Sequence, residues 1–181
     1  MIAIDPGLTG GICIDGKTML MPSMKILTKR ARYVFKHKDK KIIIKSGPNK
    51  GDRPLIIKSK AKYKNELDIK TINSLFKKQK NNVCYIEELG ITRGNSAKVT
   101  RTTQINYGKL IALLEIYDIR IEKVTAASWK KYFNLSKEKT EAVELAEKLS
   151  GENFRTKKMA LLDGPAESYL IYKYGEENEK F

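Results

Sequence analysis

Residues 1–16, MIAIDPGLTGGICIDG, decide the fold. A short apolar run brings one acid, Asp5, to a turn of Pro6, Gly7, Leu8 and Thr9, and the chain beyond Gly10 is apolar again. Brief apolar runs bounded by turn residues read as buried strands. Residues 1–5 and 10–15 are therefore expected as two strands joined by a tight turn. Asp15-Gly16 is a hairpin signal, because both residues tolerate the positive φ such turns require. A third strand near Thr18–Met21 makes the start an antiparallel meander. A strand that delivers an aspartate to a glycine-rich turn does one of two things. Either the backbone amides after the acid cradle a phosphate, or the carboxylate holds a metal ion.

The rest of the chain alternates helices and strands. Leu67, Ile72, Leu75 and Phe76 fall at helical spacing, with Asp68 placed to cap the helix. NVCYIEE, 82–88, is a buried strand ending in acids. The polar stretch 91–104 reads as a loop, 105–117 as an apolar helix and 119–124 as a strand. A short helix follows Thr125, an amphipathic one follows Ser136, and a last one carries Pro165 in its first turn, where a missing N–H costs nothing. Residues 176–181 read as an acidic, frayed tail. The expected fold class is α/β: a mixed five-stranded sheet with helices on both faces. It forms a single domain over 1–175 with an insertion at about 25–64.

That insertion carries the charge. The 181 residues have a net charge of +15. Between Lys25 and Lys64 stand fifteen Lys or Arg residues against two acids, Asp39 and Asp52, so the remainder is nearly neutral. A solvated loop would account for such a run. A surface for a polyanion accounts for it better, because cations on phosphates release counterions. Its apolar patches, RYVF, KIIIK and PLIIK, suggest short strands in a projecting β-hairpin. No apolar run approaches the roughly 18 residues of a membrane span, and no basic-then-apolar leader suggests export. The expected location is the cytoplasm. Cys13 and Cys84 read as reduced core thiols. With His37 as the lone histidine, zinc sites and His-dependent triads are disfavoured.

Four carboxylates stand out: Asp5 at a strand end, Glu87 at another, and Asp163 and Glu167 four apart near the start of the last helix, on one face if both are helical. Only one of Glu87 and Glu88 can point inward, since strand side chains alternate. Each acid has a plain alternative, a turn starter, a surface acid or a helix cap. Together, without His or Cys, they are hard oxygen donors suited to Mg²⁺ or Mn²⁺. Two such ions form the clamp for in-line phosphodiester hydrolysis. The phosphate-cradle alternative fits less well. Actin-like and sugar-kinase ATPases open with a similar turn but need a second phosphate loop, and no second DxGxT copy is present.

AIDPGLTGG, VCYIEELG, NYGKLIALL, VTAASWKKYFNLSKEKTEAVELAEKL and KKMALLDGPAESYLIYKYG, in this order and spacing, resemble the RuvC-like Holliday junction resolvases, above all their bacteriophage branch. The resemblance covers residues 1–22 and roughly 67–175. It implies a ribonuclease H-like fold and a homodimer that cuts two opposed strands of a four-way DNA junction, with two Mg²⁺ or Mn²⁺ ions per site. It implies that Asp5, Glu87, Asp163 and Glu167 hold the metals, and that Lys139 contacts the scissile backbone. Two departures matter. Bacterial members often space the last two acids three apart, whereas here Gly164 takes that position. They also carry an aromatic wedge three residues after the catalytic glutamate, where this chain has Gly90.

Arg93, Lys98 and Arg101, in the loop after Glu87, could grip the strand being cut. Lys137 and Lys139 on one side, and Arg30, Arg32, Lys58 and Lys60 in the basic segment, complete the expected nucleic-acid contacts. Trp129 reads as core, packed near Phe133. The expected partner is branched DNA, read by backbone and shape, with no membrane. A broader nuclease of the same fold, acting on flaps, forks or RNA–DNA hybrids, and a non-catalytic nucleic-acid binder remain as alternatives.

Overall fold

A computed structural model describes residues 1–29, 32–36, 41–44, 55–59, 62–90 and 97–179; for 32–36, 41–44, 55–59 and 98 the description is of the backbone. Three strands open the chain: β1 (Ile2–Asp5), β2 (Gly11–Ile14) and β3 (Lys17–Leu20). Five more follow: β4 (Ser23–Lys29), β5 (Arg32–Lys36), β6 (Lys41–Ile44), β7 (Leu55–Ser59) and β8 (Lys62–Leu67). Then come α1 (Ile69–Lys77), β9 (Val83–Glu87), α2 (Ala97–Ile116), β10 (Arg120–Val124), α3 (Ala126–Tyr132), α4 (Lys139–Ser150) and α5 (Asp163–Asn178). The chain divides into two compact units, Met1–Ser23 with Leu67–Phe181, and Met24–Glu66.

The larger unit holds a five-stranded sheet in the order β10-β9-β1-β2-β3. The meander β1-β2-β3 is antiparallel, while β9 runs parallel to both β1 and β10. Alternation along the strands builds two cores. Ile2, Ile4, Ile12, Cys84 and Ile86 pack on one face against Ile72, Phe76, Leu110 and Leu114 of α1 and α2. Ala3, Cys13 and Tyr85 pack on the other against Trp129, Val143, Leu170 and Ile171 of α3, α4 and α5. The result is the mixed sheet with helices on both faces expected of a ribonuclease H-like fold. Both cysteines are free and buried. By the same alternation, Asp5 shares the face of Ala3, and Glu87 that of Tyr85. Both acids therefore end neighbouring strands on the α3–α5 side.

The smaller unit holds a β4-β8 pair and a three-stranded sheet in the order β6-β5-β7. In the latter, β5 is antiparallel to both neighbours. This is more than the single hairpin expected.

Local expectations met mixed outcomes. Asp68 and Thr125 cap α1 and α3, accepting from the Thr71 and Ser128 amides. Asp15 and Gly16 both have positive φ, as the hairpin requires. Ser136 does not cap α4. Its hydroxyl accepts from the Glu138 amide at 3.0 Å, its own amide donates to Glu141 at 2.8 Å, and the helix starts at Lys139. The side chain is spent on closing the turn before the helix. The expected loop at 91–104 is helical from Ala97 onward. Its apolar periodicity begins only at Ile105, so polar but helix-tolerant residues there carry no pattern signal. Residues 176–178 are not a frayed tail: α5 reaches Asn178, and Glu179 accepts from the Tyr85 hydroxyl at 2.9 Å. Among the described residues no helix is long and apolar enough to cross a membrane.

Candidate active site

Three parts of the larger unit bring the acids together. β1 and β9 supply Asp5 and Glu87 at adjacent strand ends; Ile4 pairs with Ile86 one residue earlier. The third part is the start of α5. Asp163 is its first residue and Glu167 stands one turn on, where negative charge complements the positive end of the helix.

Glycines set how close α5 comes. Gly10 and Gly164 form a bridge between the first turn and the helix. A Cβ on Gly164 would lie 2.3 Å from the Thr9 carbonyl oxygen and 2.4 Å from the Gly10 carbonyl carbon. A Cβ on Gly11 would meet the Gly164 carbonyl oxygen at 2.5 Å. Backbone touches backbone here, so no larger residue fits without movement. This explains the departure at position 164: the glycine directly after Asp163 is the contact that seats the helix against the first turn.

The electrostatics follow from that crowding. Asp5 is pushed up to about 7, first by burial, then by Glu167 and Glu87, with a smaller push from Asp163. A long hydrogen bond from the Gly7 amide, at 3.5 Å, works the other way. Burial also raises Glu87, and Glu167 adds to it, while the Trp129 indole and Lys130 oppose the shift. The indole N–H of Trp129 donates to Glu87 Oε2 at 2.9 Å. Two ammonium groups hold the α5 acids. Lys130 Nζ lies 3.1 Å from Glu167 Oε1, and Lys139 donates to Asp163, which raises the lysine's own pKa.

An all-oxygen set of four carboxylates, one of them with its proton affinity raised by burial and by its acidic neighbours, is chemically suited to a hard divalent cation. As placed, no three His, Cys, Asp or Glu side chains among the described residues converge on one point. Lys130 and Lys139 provide the positive charge instead.

Of the other expected contacts, Arg101 is exposed on α2 and Lys137 is exposed just before α4. Lys98 lies in the first turn of α2, Arg32 in β5 and Lys58 in β7, each described by backbone alone. Arg30, Lys60, Arg93 and His37 lie outside the described residues. Two side chains at the site escaped the sequence reading. Trp129 is fully buried, as expected of core, yet its N–H reaches Glu87. Lys130, its neighbour, reaches Glu167. Their adjacency in the SWKK segment was the available signal.

The whole chain is similar to two solved structures. One is Thermus thermophilus RuvC, at TM-score 0.48 and 10% identity, over 99% of this chain and 97% of that one. The other is T. thermophilus RuvC in complex with a Holliday junction substrate, at TM-score 0.49 and 12% identity, over 98% and 95%. No family model and no curated protein matches the chain. Likeness this slight assigns no role to any side chain.

Proposed function

We propose that the protein is a divalent-metal-dependent endonuclease that resolves four-way and related branched DNA junctions by paired phosphodiester hydrolysis, acting as a homodimer. The observation that carries the reading is Asp5. It is a half-buried carboxylate with one weak hydrogen bond, and three other acids raise its proton affinity. A fold keeps such an arrangement at a cost in stability when the charge is wanted for something it binds. The motifs shared with RuvC-like resolvases direct the choice toward junction DNA.

Asp5, Glu87, Asp163 and Glu167 would hold Mg²⁺ or Mn²⁺. Bound there, two ions would supply an acidified water as nucleophile and charge stabilisation for the leaving oxygen. The chain's own groups do the rest. Trp129 fixes the Glu87 carboxylate through its N–H. Lys130 pairs with Glu167 and Lys139 with Asp163 in the free protein, and with a metal on those acids both ammoniums would be free to contact phosphate. Two opposed cuts require two copies of this site, hence the homodimer.

The test is cleavage of a symmetric four-way junction, a flap and an RNA–DNA hybrid, with each metal in turn. Paired nicks confined to the junction support the proposal. Equal cutting of all three indicates a broader nuclease, and no cutting with either metal indicates a binder.

A further inference from the structure

A pocket of about 670 Å³ opens between α3 and the loop that leads to α4. Its volume lies in the range of ligand sites, roughly 300–1,000 Å³. Ala126, Ala127 and Leu135 give it apolar walls, and Lys131 and Lys137 stand exposed around it, with no carboxylate in the lining. Asn134 also lines it. It is held at φ 53, in a turn closed by hydrogen bonds from the Asn134 amide to the Lys131 carbonyl at 3.0 Å and from the Leu135 amide to the Lys130 carbonyl at 2.8 Å. Lys130 joins the pocket to the acid cluster, since it lines the one and pairs with Glu167 in the other.

We infer that this pocket binds one unpaired nucleotide of the DNA strand being cut, next to the scissile phosphate. The identity of that strand rests on the nuclease proposal; the chemistry of the pocket does not. The excess of positive charge in the lining selects an anion. Apolar walls beside that charge select a ligand with a flat, poorly hydrated part, which a nucleotide has and inorganic phosphate lacks. Lys131 and Lys137 take the phosphates, while Ala126, Ala127 and Leu135 cover the base. The side-chain carboxamide of Asn134 offers a donor and an acceptor side by side to a base edge. A base reaches such a pocket only when out of its stack, so unpaired nucleotides at a branch point enter where intact duplex does not.

The test uses the full chain, isotopically labelled, in EDTA, titrated with a 5′-phosphorylated thymidine tetranucleotide and, separately, with dTMP. The inference expects saturable amide shifts at Ala127, Asn134 and Leu135. It expects at least fivefold weaker tetranucleotide binding after Lys131→Glu, and loss of those shifts after Ala127→Trp, which plugs the pocket. Lys131 is exposed, so its variant decides the matter if Ala127→Trp fails to fold. Shifts elsewhere only, or unchanged affinity in Lys131→Glu, overturn the inference. Binding of dTMP as tight as the tetranucleotide overturns it too, because the pocket would then be a free-nucleotide site. Junction cleavage by the unaltered protein is scored independently. Pocket shifts without cleavage would sink the nuclease proposal alone, and cleavage without pocket shifts would sink this inference alone.

Discussion

The indole N–H of Trp129 donates to Oε2 of Glu87 at 2.9 Å. A residue at the centre of the α3 packing thereby fixes the orientation of a candidate metal ligand on β9. Trp129→Phe keeps most of the packing and removes the bond. Glu87 then loses an interaction that favours its ionised form, so its pKa rises further. Stability should fall by about 1–3 kcal/mol, the usual cost of stranding a buried polar partner. Junction cleavage should fall about tenfold at saturating DNA and recover in part as metal concentration is raised. Titrating metal against cleavage rate, beside a denaturation curve, separates the two effects.

Gly164→Ala tests how α5 is seated. The new methyl would overlap the Thr9 and Gly10 backbone, which cannot rotate away as a side chain can. A loss of about 3 kcal/mol or more is expected, at the upper end for overpacking. Urea midpoints would report it. A loss below about 0.5 kcal/mol would show that the helix can shift without effect.

Asp5 ties stability to pH and metal. Its pKa is 3.8 ordinarily and about 7 here. The folded state therefore holds this proton more tightly than the unfolded one. The stability linked to it is full below pH 3.8 and is lost as pH rises through about 7. The loss is on the order of 4 kcal/mol for Asp5 alone. In EDTA, Asp5→Asn should therefore raise the melting temperature at pH 8 by several degrees relative to the unaltered protein, and change it little at pH 4. Added Mg²⁺ should stabilise the unaltered protein at pH 8 more than the variant. Thermal melts at the two pH values, with and without Mg²⁺, give all four comparisons.

The inserted unit Met24–Glu66 can be removed where its ends meet. The Asp68 amide donates to the Pro22 carbonyl at 2.9 Å, so a short turn can join the flanking segments. The trimmed chain should fold cooperatively, because both core clusters lie outside the excised residues. Junction binding should weaken and its log-log salt slope should flatten, as phosphate contacts are lost. An unchanged slope would mean that the basic segment touches no phosphate.

Much of the fold was legible because it depends on period. The meander, the VCYIE strand and the α1 face all show apolar spacing that only one element satisfies. The start of α5 was marked by Pro165 and its two acids. What depends on direction was not legible. Trp129 announces its volume by its place in an apolar pattern, but nothing in that pattern says where its N–H points. Lys130 reads as one more surface lysine until α3 is laid against α5. Gly164 looked like a departure from a motif, and its reason lies in the backbone of Thr9 and Gly10, far away in sequence. The Ala97–Gln104 part of α2 and the true start of α4 were not legible, for want of an apolar period in one case and through a competing serine turn in the other.

The central claim is that Asp5 and Glu87 serve a metal-dependent cut. The most direct test is a four-way junction labelled on each strand, incubated with Mg²⁺ and either the unaltered protein, Asp5→Asn or Glu87→Gln, with binding measured on the same junction in Ca²⁺. The account predicts paired nicks from the unaltered protein, at least a hundredfold loss of cutting in both variants, and junction affinity within about threefold of the original. Cutting at the original rate by either variant would contradict it.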